Sequence, residues 1–244
     1  MTKGQVLITF DDGLAIHDAA AETLSGLGLH GTFGIITSLI GTPGFLNIYQ
    51  LGDISLQHFI CNHSHTHPWS GVGAAKAGIV PAKDVNELTA DYIKARDILN
   101  EQGFHGDYLL MPFGTHNVGG ESHLRELVKE FTWMRLTIGS PLPEEFDLWQ
   151  TEGYKRLYPM GYRGPIVGIT EAADVRRPGG VREVVDNAVA AGSLAVLVYH
   201  DVANPVGEGQ NITWKRFVSD MEYIAGLDGL ECVTPDMAAK GGTS

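Results

Sequence analysis

Short, continuous apolar runs bounded by turn residues recur along the chain: Val6–Phe10, Thr32–Ile36, Phe59–Cys61, Tyr108–Met111, Phe131–Leu136, Leu194–Tyr199 and Leu230–Val233. Runs of this length without polar alternation predict buried strands. Between them, Ala15–Gly26, Asp84–Gln102, Ser122–Lys129, Val181–Ala191 and Thr213–Ala225 place apolar residues at helical spacing. Asp84 and Thr213 stand where they can cap helix starts, and Gly26, Gly103, Gly192 and Gly226 where helices stop. Residues 140–180 are rich in proline and glycine without a steady period. They are expected to form a long excursion with one short strand near Ile166–Ile169.

Strands alternating with helices predict a parallel sheet crossed over by helices, an α/β fold. About seven such units in 244 residues suit a (β/α) barrel, complete or incomplete, with its active site at the C-terminal ends of the strands. One domain over residues 1–240 and a small, polar, frayed tail at 241–244 is the simplest partition.

Composition narrows the partners. Hydrophobic residues make up 43% and charged residues 19%, the balance of a folded globular chain. Seventeen basic against twenty-nine acidic residues give a formal charge of −12, which repels nucleic acid and anionic lipid. No apolar stretch of about 18 residues is present, so no membrane span is expected. The first residues run directly into a strand pattern with no signal peptide visible. The sequence as it stands therefore reads as cytoplasmic, or as extracellular or cell-surface if it is a mature or excised piece. Cys61 and Cys232 are expected to be buried free thiols, with Cys61 a distant alternative as a metal ligand because it lies two residues before a histidine cluster.

Chemistry concentrates at three predicted strand ends. Thr9-Phe10-Asp11-Asp12-Gly13 puts two adjacent carboxylates after the first strand. One can bind a metal while the other accepts a proton, although a capped strand-to-helix turn would look similar. Asn62-His63-Ser64-His65-Thr66-His67-Pro68 follows the third strand. In a turn of helix His63 and His67, four apart, share a face and can grip one ion, whereas His65 points elsewhere. Two imidazoles and a carboxylate leave a coordination position for water, as in catalytic zinc sites. Val196-Leu197-Val198-Tyr199-His200 is a buried strand ending in a histidine suited to act as general acid.

These motifs together resemble the polysaccharide deacetylase family, carbohydrate esterase family four with its NodB homology domain. Thr9–Gly13 is similar to the first family motif and His63-Ser64-x-x-His67-Pro68 to the second. Leu109–Gly114 resembles the third, and the closing stretch from Tyr199–Val202 through Ile212-Thr213 to Val233–Pro235 is similar to the family's final strand and helix. The resemblance implies a distorted barrel and hydrolysis of acetyl groups from an N-acetylglucosamine-containing or O-acetylated polysaccharide through metal-bound water. It implies Asp11 as base, Asp12, His63 and His67 as ligands of one divalent ion, usually zinc, His200 as acid, and the Phe113 amide as oxyanion donor. The same fold acting on a small amide or cyclic ureide, or kept as a silent carbohydrate-binding domain, are the rival readings. The sequence does not give the oligomeric state.

The chain departs from the pattern at Leu110, where the third motif often carries an arginine, and at Val198, where the last motif carries leucine. Arg135 is the candidate to replace the missing guanidinium, ahead of Arg163; a surface arginine is the equal alternative. Trp133 and Trp149 are candidates for the tryptophan of the fourth motif.

Overall fold

Burial without alternation carries through to the strands. A computed structural model describes residues 3–68, 85–112, 127, 129–135, 166–170, 180–202 and 212–241. It contains β1 (Gly4–Phe10), α1 (His17–Gly26), β2 (Gly31–Ile35), α2 (Ile48–Ser55), β3 (Phe59–Asn62), α3 (Val85–Glu101), β4 (His105–Leu110), β5 (Trp133–Arg135), β6 (Ile166–Thr170), α4 (Gly180–Ala191), β7 (Leu194–Tyr199), α5 (Trp214–Ala225), β8 (Leu230–Cys232) and α6 (Pro235–Gly241). The short strand expected near Ile166 is β6. The expected helix at Ser122–Lys129 and the Asp84 cap lie largely or wholly outside the described residues.

The chain falls into two compact units, the first comprising residues 1–33, 41–59 and 164–238 and the second residues 34–40, 60–163 and 239–244. Strand β2 passes from the first to the second between Phe33 and Gly34. In the first unit β1 lies parallel to β2, β7 and β8, and β7 is flanked by β6, also parallel. From Val6 to Phe10 every side chain of β1 is solvent-excluded, as are all of those of β7. The Phe10 ring stacks on Phe33 at 4.7 Å and on Tyr199 at 5.4 Å, closing the core beneath the strand ends. In the second unit β3, β4 and β5 pair in parallel.

Helices α2 and α6 are elements that hydrophobic periodicity does not announce. Asn47 accepts from the Tyr49 and Gln50 amides, and the Gln50 side chain accepts from the Asn47 amide, a complete capping box. Helix α1 starts later than Ala15 because Leu14–Ile16 turn first, with Leu14 bridged to Phe45. Thr213 caps α5 through the Arg216 amide, as expected. At the end of α3, Gly103 adopts φ +81°, which lets Phe104 donate back to the Leu99 carbonyl. Cys61 is buried, as expected, whereas Cys232 is only half-buried, and neither forms a disulfide. No described helix is long and apolar enough to cross a membrane.

Candidate active site

In the first unit, β1 and β7 run side by side with Phe10 opposite Tyr199. The residues that follow both strands therefore emerge at one edge. The Asp11 amide extends the ladder by donating to the Tyr199 carbonyl at 2.9 Å. The Asp11 carboxylate is almost fully buried, and its Oδ2 stands 3.8 Å from Nε2 of the partly exposed His200. That is too long for a direct hydrogen bond but close enough for both groups to face one reacting centre. Beyond Asp11 the chain reverses: Asp12 has φ +79° and Gly13 φ +72°, and the Gly13 carbonyl accepts from the Leu46 amide at 2.9 Å.

His17, in the first turn of α1, is the residue of this edge that the sequence reading missed. Its ring is fully buried against Phe10, and its Nε2 lies 2.6 Å from the His200 carbonyl. A carbonyl only accepts, so Nε2 carries the proton and His17 ties α1 to the turn that presents the His200 imidazole. Burial pushes its pKa from 6.5 down to about 4, while the bond to His200 and the nearby Asp12 and Asp11 charges pull the other way.

A histidine that stays neutral when folded and titrates near 6.5 when unfolded favours folding fully above pH 6.5. The advantage fades as pH falls toward about 4 and then levels. Wild type is therefore expected to lose ~2 kcal/mol more than His17→Gln between pH 7 and pH 5. Urea denaturation of both proteins at the two pH values measures this, and parallel losses would remove His17 as the cause.

In the second unit the histidine stretch is a looped turn rather than a turn of helix. Ser64 has φ +72° and His67 φ +56°. The rings of His63 and His67 stand 5.0 Å apart all the same, so their pairing comes from backbone reversal and not from helical spacing. His63 is buried, and its Nδ1 lies 2.6 Å from the Leu110 carbonyl. Nδ1 is therefore the protonated nitrogen, which leaves the Nε2 lone pair for a ligand role, the second-sphere arrangement that orients metal-binding imidazoles. His65 instead engages the Thr37 hydroxyl through Nδ1 at 2.8 Å. Gly34 has a packing reason: a Cβ there would stand 2.8 Å from Leu110 Cδ1 and 3.1 Å from the His63 Cβ.

Asn62 ties β3 to its neighbours. Its Nδ2 donates to the Tyr92 and Gly106 carbonyls at 2.9 and 3.3 Å, and its Oδ1 accepts from the Ser64 amide at 2.7 Å. Arg135 is fully buried on β5, in register with Leu110 of β4. Trp133 is fully buried beside Tyr108. Val198 is a buried residue of β7. Phe113, Trp149 and Arg163 lie outside the described residues.

Asp12, His63 and His67 each offer one ligand atom, a carboxylate oxygen and two imidazole nitrogens. An imidazole whose Nδ1 is hydrogen-bonded to a carbonyl and a carboxylate that follows a strand end are donors that fit a divalent ion of the zinc type.

Known structures place this architecture. A variant of PdaC, a peptidoglycan deacetylase from Bacillus subtilis, superposes with a TM-score of 0.57 at 14% identity, over 98% of this chain and 91% of that one. A peptidoglycan N-acetylglucosamine deacetylase gives 0.52 at 18% identity, over 96% and 88%. A polysaccharide deacetylase from Bacillus cereus, 18% identical with a TM-score of 0.42, matches over 55% of this chain and 43% of its own, so the present chain spans less than half of that relative. No curated protein sequence matches. The fold is thus α/β, of the distorted, incomplete (β/α)-barrel class, with eight strands among the described residues where about seven were expected. A family profile described as polysaccharide deacetylase matches residues 1–130. The chain belongs to the polysaccharide deacetylase family.

Proposed function

We propose that residues 1–240 form one catalytic domain that hydrolyses acetyl groups from an acetylated polysaccharide with the help of one divalent ion, zinc by the chemistry of its donors. The observation that carries this reading is backbone strain. Among the described residues only three non-glycines have positive φ, Asp12, Ser64 and His67. They fall on the two motifs that would hold the ion, and strain of about 1–3 kcal/mol per residue persists where function requires it.

In this reading Asp12, His63 and His67 hold the ion. When bound, it supplies a Lewis acid for the acyl carbonyl and acidifies water. Asp11 accepts the proton of the attacking water at its carboxylate. His200, held through its main chain by His17, delivers a proton from Nε2 to the departing amine or alkoxide. The Phe113 amide donates to the developing oxyanion. Arg135, in register with Leu110 of β4, takes the part of the arginine that the family's third motif often carries. Family membership supports the glycan as substrate, a formal charge of −12 argues against nucleic acid, and the bond cleaved is that of a sugar N-acetyl or O-acetyl group.

The test is acetate release from a panel of acetylated polysaccharides, with and without a chelator. Release that stops on chelation and returns with Zn2+ is the expected result. Acetate release indifferent to chelator, or turnover confined to small amides, would overturn the reading.

A further inference from the structure

The looped turn from His63 to His67 combines two left-handed residues in five, Ser64 and His67. Such a path persists only if bonds from outside over-determine it. Four supports are visible. Asn62 accepts the Ser64 amide at 2.7 Å, and the Ser64 hydroxyl accepts the His67 amide at 2.9 Å. Thr37 and Ser38 donate their amides to the Ser64 and His65 carbonyls at 3.1 and 3.0 Å. The fourth comes from α3: Asp91 Oδ1 accepts the His65 and Thr66 amides at 2.7 and 3.1 Å, and Oδ2 accepts the Thr66 hydroxyl at 2.6 Å.

The first three supports involve neighbours in the loop or the main chain of the adjoining turn. Asp91 is the side chain that reaches in from a separate helix, and it alone satisfies the two successive amides immediately before His67. We propose that Asp91 is a positioning residue for metal binding: it clamps the His65-Thr66 backbone so that His67 is held beside His63 before any ion arrives. This rests on the proposed metal role of His63 and His67. A carboxylate accepting three bonds suits the task because it can take two amides on one oxygen and a hydroxyl on the other.

Zn2+ titrated into the metal-stripped full chain, in competition with a chromophoric chelator, reads the effect without any turnover. Asp91→Ala is expected to raise the Zn2+ dissociation constant about 10–100-fold, the range typical when a residue supporting a ligand is lost. The rise in Tm that Zn2+ gives should shrink correspondingly, because ligand stabilisation follows affinity. A merely structural residue would lower Tm with and without Zn2+ equally and leave the dissociation constant alone. Asp91→Asn, whose Oδ1 can still accept both amides, should recover most of the affinity. An Asn variant as weak as the Ala variant would make charge rather than positioning the cause and overturn the inference. If Asp91→Ala does not fold, Thr66→Val removes the shortest of the three bonds from an exposed position, and unchanged Zn2+ affinity there overturns the inference. If wild type itself binds no Zn2+, the metal reading fails and takes this inference with it. Wild-type binding matched by Asp91→Ala sinks the inference alone.

Discussion

Asp11→Asn is expected to keep one divalent ion per chain and to lose about 10²–10⁴ of its acetate-releasing rate, the usual contribution of a positioned acid or base. The substitution retains size and hydrogen-bonding oxygen but removes the basic site. It leaves the Asp11 amide bond to the Tyr199 carbonyl untouched, since that bond is made by the backbone. The ion should stay because the ligand set assigned here is Asp12, His63 and His67. If the loss is in chemistry, kcat falls while KM stays near its wild-type value. Metal analysis and acetate release on the same preparation decide the matter. Unchanged turnover would remove Asp11 as the base, and loss of the ion would make it a ligand.

The second large effect separates the three histidines. His63→Ala is expected to weaken metal binding by more than the roughly 10–100-fold cost of losing a supporting residue, because it deletes a donor atom. His67→Ala should do the same. His65→Ala should leave the ion in place, since its Nδ1 is engaged by Thr37 and not presented with the other two rings. Metal content after exhaustive dialysis reads all three. Retention in His63→Ala with loss in His65→Ala would reverse the assignment.

The strands were legible because residues such as those of β1 and β7 are buried on both faces, and continuous burial writes a continuous apolar run. Helix α2 was overlooked although Asn47 and Gln50 spell a capping box, since the Gly41-Thr42-Pro43-Gly44 turn before it dominates the local pattern. The histidine stretch was found by its density, but the geometry inferred from a four-residue spacing was wrong. A period describes a regular helix, and it contains nothing about the left-handed turns at Ser64 and His67 that bring the rings together. His17 escaped notice for a different reason: its partner is a carbonyl 183 positions away, and a main-chain acceptor leaves no signature in sequence. The same holds for Asp91, whose partners are mostly amides of a loop 25 and 26 positions earlier. Of the two readings of Arg135, a surface arginine or a substitute for the one missing at Leu110, burial on β5 removes the first, and the second belongs to the proposed function.

The strained backbones at Asp12, Ser64 and His67 also set what laboratory evolution would do to this protein. A screen that rewards only survival of heating favours residues that relax a left-handed φ, with glycine or asparagine the readiest choices. Such variants are expected at these three positions first, growing hardier while shedding the donors and the loop path to which the proposed function assigns the ion. Heat-selected libraries of this chain therefore need a counter-selection for the proposed metal binding, or they are expected to converge on robust, inert scaffolds.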